Sequence, residues 1–200
     1  MAGFCTLDEL GDFLQIEITN GLAANRAIVE ATAAIKNYCH QEIERVEDDA
    51  ITLDCAGGTK IFLPQSPVVS VASVVEDGEL LVADDDYKLG QHGILHRVDG
   101  VWTAGIQIVT ITYTHGYATI PDDVVGVCTR AASRAYQAGL RAAELEGVPG
   151  VASLSLGDYA VTYGTEGGGG ISEGVLGASA ARMLLLSEKD VLNRYRYVAQ

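Results

Sequence analysis

Apolar and polar positions alternate over residues 109–114, and the pattern then becomes helical. Three apolar residues alternate there with three threonines, which is typical of a partly buried strand. After Gly116, small and apolar residues recur every three or four positions, which predicts a helix with a narrow packing face. That face consists of Val124, Val127, Cys128, Ala131 and Ala135. Pro121 and the two aspartates after it suit a first helical turn, so we expect a central helix over about 121–141.

Two further helices are predicted in the first 43 residues. Thr6 and Glu9 form a T-x-x-E capping box, which indicates a short helix. A longer helix is expected from about Leu22 to Cys39, because apolar residues recur there at helical spacing. Its predicted buried stripe is Ala24, Ile28, Ala31, Ile35 and Tyr38. Both helices are expected to pack against the central helix.

Residues 44–114 have a period of two and predict antiparallel β structure. Gly57 and Gly58 separate two such runs, so we expect a hairpin that pairs residues 51–55 with 59–63. Further strands are expected at 69–74, 80–82, 94–98 and 106–113, and together these strands complete one antiparallel sheet. Val69, Val71 and Val74 are expected to face the same side of it.

The region after the central helix predicts a hairpin, a loop and a last helix. Residues 151–156 are expected to pair with 159–163. Gly167 to Gly170 is predicted to be a flexible linker and not a phosphate site, because no lysine follows it. Gly164 to Gly174 is expected to become ordered when a partner binds, because its glycines leave it flexible until then. Ser187 is expected to cap the last helix, with Asp190 three residues later. The predicted apolar face of this helix is Val191, Leu192, Tyr195 and Val198.

These elements predict an α+β fold. It is a small helical bundle around the central helix, with an inserted antiparallel β-rich region at about 44–114 and a C-terminal helix. We expect one domain over residues 1–200. Its segments are the N-terminal helices (1–43), the β insert (44–114), the central helix (119–146), the hairpin and glycine loop (151–174) and the C-terminal helical segment (175–200).

Composition narrows the function. With 13 basic and 27 acidic residues, the chain has a formal charge of −14 and a pI near 4.5. Such a surface repels nucleic-acid phosphates, so a role in tight DNA binding is disfavoured. No apolar run approaches the roughly 18 residues of a membrane span, and no export signal is visible. The four cysteines are widely spaced, which predicts reduced, buried thiols.

Candidate catalytic and metal-binding patterns are weak. His92 and His96 lie in a strand region with a glycine between them, so a zinc site is disfavoured. His115 is assigned to turn or surface hydrogen bonding beside Gly116. Asp84 to Asp86 fit a solvated acidic turn better than a calcium loop. No serine lies in a G-x-S-x-G elbow, so we expect no catalytic residue, no cofactor and no metal.

The order of several short motifs is more informative than any one of them. They are LPQSPVVSV at 63–71, DYKL at 86–89, GILHR at 93–97, Trp102, VTITYTHGY at 109–117, IPDD at 120–123, LGDYAVTY at 156–163 and LNRYR at 192–196. This order resembles the head–tail connector, or adaptor, proteins of long-tailed bacteriophages. Compact members are nearly all helical, and the β insert resembles the larger members.

The resemblance implies a non-enzymatic virion protein made in the host cytoplasm. It would form a ring, dodecameric in the neck, between the portal and a stopper or tail-completion protein, with double-stranded DNA passing through. The acidic charge would then keep DNA from adhering to the inner wall. The resemblance also implies that the C-terminal helix docks on the portal, through Arg194, Tyr195, Arg196 and Tyr197.

The same residues also fit alternative interpretations. The two arginines can instead neutralise the negative end of the helix dipole. Within the neck, a head-closure (stopper) protein is the nearest competitor to an adaptor. Outside it, the alternatives are an acidic soluble enzyme without a recognisable motif, and a β domain that binds a ligand or glycan.

Overall fold

The structure is a computed structural model that describes residues 3–145, 153–156, 159–162 and 183–197. The chain divides into two compact units. A helical unit comprises Met1–Ile35 and Asp123–Val191, and a strand unit comprises Lys36–Asp122 and Leu192–Gln200. The described helices and antiparallel sheets confirm the predicted α+β class. The organisation of residues 1–200 as one domain stays a prediction.

Helix α1 (Leu7–Leu14) begins at the predicted capping box. The Thr6 hydroxyl accepts a hydrogen bond from the Glu9 backbone N–H at 3.2 Å, and the Glu9 carboxylate accepts one from the Thr6 N–H at 2.7 Å. Both bonds satisfy N–H groups that a helix start would otherwise leave unpaired. The local motif is therefore sufficient to place this helix.

Helices α2 (Gly21–Cys39) and α3 (Asp122–Leu145) confirm the two longer helical predictions. Helix α3 is the predicted central helix and begins directly after Pro121. Its buried surface is wider than the predicted face, because Thr129, Ala132, Ser133 and Tyr136 are buried too. A helix buried over so wide a surface contacts neighbours on several sides.

Seven strands lie in the strand unit and form two sheets. They are β1 (Val46–Cys55), β2 (Lys60–Phe62), β3 (Val68–Glu76), β4 (Glu79–Leu81), β5 (Tyr87–Leu89), β6 (Ile94–Arg97) and β7 (Gly105–His115). One sheet has the order β1-β7-β3-β4, and the other has the order β2-β6-β5. The prediction of a single antiparallel sheet is therefore wrong, although its strand positions hold except for β5, which it lacked.

The hairpin predicted across Gly57 and Gly58 is also wrong. Strand β1 pairs with β7 along its length, and β2 pairs with β6. Both glycines have positive φ, as in a turn. The turn sends the chain from one sheet to the other because β1 has a longer partner in β7, with which it forms register pairs from Val46 to Cys55.

The core of the strand unit includes side chains from both sheets. Its fully buried members are Val74, Leu95, Trp102, Val109, Ile111 and Tyr113. Val74 fits the predicted inward face, and Val71 packs partly buried against this core. Val69 does not, because it is 48% exposed. A register irregularity between Val68 and Ser70 turns Val68 towards the core in its place.

The predictions after the central helix are confirmed for the hairpin, and some of the others lie outside the described residues. Strands β8 (Ser153–Leu156) and β9 (Tyr159–Thr162) pair antiparallel, which confirms the second hairpin. The glycine loop at 164–174 and Val198 lie outside the described residues.

The cap of the last helix was predicted wrongly. Helix α4 (Leu186–Leu192) begins before Ser187, which therefore lies inside the first turn. The Glu188 carboxylate accepts the Leu185 N–H at 2.9 Å instead. The same buried carboxylate forms two hydrogen bonds with the Arg134 guanidinium of α3, at 2.8 and 2.6 Å. Pairing with an arginine explains why a charged residue can be buried here.

Candidate functional site

The predicted docking residues belong to the last described part of the strand unit. Residues 193–195 form one turn of 3-10 helix after α4. The Tyr38 hydroxyl donates to the Asn193 side-chain oxygen at 2.8 Å, and the Tyr197 N–H donates to the Cys39 carbonyl at 2.8 Å. These bonds hold the segment against the end of α2. We call residues 193–197, with Tyr38, Cys39 and Tyr117, the C-terminal anchor.

Aromatic and cationic groups meet in the C-terminal anchor. The ring of Tyr195 lies edge-on to that of Tyr117, with centroids 5.9 Å apart and planes at 73°. The Arg196 guanidinium lies 5.6 Å from the centre of the Tyr38 ring, within cation–π range. Arg194 and Arg196 are exposed, while Tyr195 and Tyr197 are half-buried. The anchor therefore combines buried contacts with two exposed arginines.

Cys39 is the buried centre of the anchor. Its thiol lies 3.9 Å from the Leu192 carbonyl, to which it donates. Burial raises the pKa of Cys39 to about 11, and the nearby Arg196 offsets part of this rise. The neutral thiol is favoured because a thiolate would lose its hydration there. Cys39 is thus a structural residue of the anchor rather than a nucleophile.

Tyr117 is positioned by a close crossing of two chain segments. Gly116 has φ +85°, and a Cβ on it would clash with the carbonyl of Glu44. Its N–H donates to the Pro67 carbonyl at 2.9 Å, and the Tyr117 N–H donates to the Ile43 carbonyl at 2.9 Å. Only glycine combines this backbone with so close an approach. The residue fixes the ring against which Tyr195 packs.

Gln41 and Gln65 secure the loop between β2 and β3. The Gln41 amide donates to the Pro64 carbonyl at 2.7 Å and accepts from the Ser66 N–H at 2.8 Å. The Gln65 side-chain oxygen accepts from the Glu42 N–H at 2.8 Å. A groove of about 440 Å³ lies beside this loop and includes Tyr117 in its lining. The 63–71 motif thus helps to build the surface next to the anchor.

His115 was assigned wrongly to turn or surface hydrogen bonding. It is the last residue of β7 and is only 1% exposed. Its Nε2 lies 3.2 Å from a carboxylate oxygen of Asp49 on β1. The sequence placed it beside a glycine turn, but β7 continues through it, so the ring is covered. His115 is a structural link between two strands.

The remaining candidates from the sequence are the acidic turn and the metal-binding patterns. Asp84 to Asp86 form a turn, as predicted, in which the Asp86 carboxylate accepts the Val82 N–H at 2.8 Å. Within the described ranges, no three His, Cys, Asp or Glu side chains are placed to hold a metal ion. No described helix is long and apolar enough to cross a bilayer.

The sequence predicts the C-terminal residues of the anchor, but it does not predict the residues that they pack against. The sequence indicates Tyr38 only as part of the α2 stripe and gives no signal for Gln41. Tyr38 and Asn193 are 155 positions apart, and no local pattern connects residues at that separation. The glycine after His115 was the one available signal, because an isolated glycine at a strand end often marks a close backbone approach.

A match to a known protein family agrees with the resemblance to phage connector proteins. The profile of the head completion protein family matches residues 3–129. No curated protein sequence matches the chain.

Solved structures similar to this chain come from gene transfer agent particles. The neck of the native particle, computed with C12 symmetry, has a TM-score of 0.48 at 16% identity, with 97% of this chain and 89% of that chain covered. The neck of the empty particle, computed with C6 symmetry, has a TM-score of 0.46 at 18% identity, with coverages of 96% and 89%. The family match spans more than half of the sequence, and the chain therefore belongs to the head completion protein family, as a structural protein of a phage-like virion.

Proposed function

We propose that this protein is the head-to-tail adaptor of a phage neck. It forms a ring between the portal and the stopper, and the genome passes through the centre of the ring. The observation that carries the adaptor role is the C-terminal anchor, because it exposes arginines on a chain whose formal charge is −14. A local cationic surface on an acidic protein favours a partner with a complementary acidic surface.

The portal-docking surface is the exposed side of the anchor. Arg194, Tyr195, Arg196 and Tyr197 combine the residue types that most often anchor protein interfaces. Hydrogen bonds at Asn193 and Tyr197 hold the segment in one conformation. A segment ordered before binding loses less conformational entropy on docking than a free tail.

Ring formation needs two different surfaces on each subunit, because a head-to-tail contact is heterologous. The strand unit supplies one of them. Large apolar side chains are exposed there, and those at least half exposed are Leu80, Val82, Val101 and Ile106. Leu80 lies on β4, which is an edge strand of the four-stranded sheet. Twelve copies are the number that the connector resemblance implies.

The acidic charge suits a channel for DNA. The arithmetic is 13 basic minus 27 acidic side chains, or −14 per subunit. Repulsion between carboxylates and phosphates acts over about one Debye length, roughly 8 Å at physiological salt. An acidic wall therefore lets DNA slide without adhering. Basic residues along the lumen of an assembled ring would contradict this part of the proposal.

The test is native mass spectrometry of the protein alone and mixed with the portal ring from the same genome. We expect about one copy per portal subunit around a closed ring. The double variant R194E/R196E should weaken this complex by at least about 30-fold, as the loss of an interface hot spot does. The matched control is R26E, because Arg26 is an exposed arginine of the helical unit.

The outcomes distinguish adaptor from stopper. Unchanged portal binding by R194E/R196E, or by a chain truncated after Gly174, would refute docking through the anchor. A folded protein that binds no portal but binds an assembled portal–adaptor complex would be the stopper instead.

A further inference from the structure

Two cysteine side chains meet inside the helical unit. The Sγ atoms of Cys5 and Cys128 lie 3.5 Å apart, although 123 positions separate them in sequence. Cys5 precedes α1, and Cys128 lies on α3. Both are buried, at 5% and 0% exposure. The other two cysteines, Cys39 and Cys55, belong to the strand unit.

The segment that carries Cys5 is fixed against the helices. The Phe4 N–H donates to the Thr32 hydroxyl at 3.0 Å, and this hydroxyl lies 3.6 Å from the Cys128 sulfur. Gly3 packs so closely that a Cβ there would clash with Ile28. The two sulfurs are therefore held near each other by several contacts. An S–S bond is about 2.05 Å long, so a shift of roughly 1.5 Å of one sulfur would bring them together.

The two thiols differ in reactivity. The hydrogen bond with Cys128 lowers the pKa of Cys5, whereas that hydrogen bond and burial raise the pKa of Cys128. The thiolate is the reactive form of cysteine. Cys5 is thus the attacking group, and local opening of the contacts around its segment admits a small oxidant.

We propose that Cys5 and Cys128 are a redox modification site that a low-molecular-weight disulfide, such as oxidised glutathione, converts to an intramolecular disulfide. The Cys5 thiolate attacks one sulfur of the oxidant and displaces one glutathione thiolate, which leaves a mixed disulfide. The Cys128 thiol then loses its proton as its sulfur attacks the Cys5 sulfur, and the second glutathione is displaced. Two protein thiols are oxidised, their two protons pass to the two displaced glutathione thiolates, and one oxidised glutathione becomes two reduced molecules.

The location of the protein in a virion determines when the disulfide would form. A virion is assembled in a reducing cytoplasm and persists in an oxidising medium after release. The thiols would therefore be free during assembly and linked afterwards, which ties the N-terminal segment to α3. This inference uses only the virion location and holds for an adaptor or a stopper alike.

The test treats the full, folded chain with oxidised glutathione and measures its intact mass and linked peptides. We expect a loss of about 2 Da, the two thiol hydrogens, and a peptide joining Cys5 to Cys128. The melting temperature should rise by roughly 5–10 °C, as a disulfide across a long loop predicts. Cys55→Ser should behave like the wild type, and Cys5→Ser should lose the mass change.

Several results would overturn the proposal. They are a folded wild-type chain that keeps four thiols, a bond that maps to another pair of cysteines, or a glutathione adduct on Cys5 that is never displaced. Wild-type peptide mapping decides the question even if Cys5→Ser fails to fold.

Discussion

At the residue scale, Gly116 decides whether the anchor can form. Gly116→Ala should destabilise the protein by about 2–4 kcal/mol, because the new methyl group adds a clash with the Glu44 carbonyl to the cost of positive φ. Gly78→Ala is the matched control. Its φ is +82°, but no atom lies within 4 Å of the added Cβ, so it should cost only about 1 kcal/mol. If urea unfolding shows equal losses of unfolding free energy for Gly116→Ala and Gly78→Ala, the close approach of Gly116 to the Glu44 carbonyl would be contradicted.

Cys39 predicts a pH dependence of stability. Its folded pKa of about 11 lies above the ordinary value of 9.0, so the unfolded state loses the thiol proton first as pH rises. The contribution is fully present below pH 9 and is lost between about pH 9 and 11. Its size is about 1–3 kcal/mol. Cys39→Ala should flatten the fall in unfolding free energy over this window, and a parallel fall in both proteins would show that Cys39 is not its source.

Residues of one short motif could be predicted, whereas residues whose partners are distant could not. The Thr6 and Glu9 capping box is complete within four positions, so its hydrogen bonds follow from the sequence alone. His115 was misassigned because its partner Asp49 is 66 positions away. The prediction that Ser187 caps the last helix is wrong for a different reason. Glu188 caps the turn instead, and the burial of Glu188 depends on Arg134 of another helix.

At the element scale, the contact between α4 and α3 depends on one carboxylate. Glu188 is 3% exposed and pairs with Arg134 at 2.6 Å. Glu188→Gln should cost about 2–4 kcal/mol in thermal or urea unfolding, because it leaves a partly buried guanidinium without its counter-charge. Glu30→Gln is the control, since its pair with Arg26 is exposed and 3.7 Å long. That change should cost less than about 0.5 kcal/mol, and a similar cost for both would contradict a special role for Glu188.

Element positions followed from the sequence better than element partners did. The period of two located β1, β2, β3, β4, β6 and β7, because side-chain alternation is a local property of a strand. Pairing is not local. Gly57 and Gly58 gave a strong turn signal, yet β1 pairs with β7 because that ladder is longer. The candidate site shows the same limit: Arg194 to Tyr197 could be named, but Tyr38 and Gln41 could not.

At the scale of the whole molecule, charge governs the interaction with nucleic acid. The folded protein should not bind duplex DNA with a Kd below about 1 mM at roughly 0.15 M salt, because 14 net negative charges oppose phosphate contact. Fluorescence anisotropy of a labelled duplex would measure this, with a basic DNA-binding domain as the positive control. Micromolar binding that weakens steeply with salt would contradict the sliding-channel proposal.

The central place of β7 in its sheet has a consequence for how the chain is made. Strands β1 and β3 both pair with β7, which is the last strand of the unit to leave the ribosome. Cys55, where β1 ends, and Gly105, where β7 begins, are 50 positions apart, which is roughly 3–10 s of translation at 5–20 residues per second. During that interval the nascent strands have open edges. We therefore expect the yield of folded protein to depend on how well these edges are protected from aggregation during synthesis.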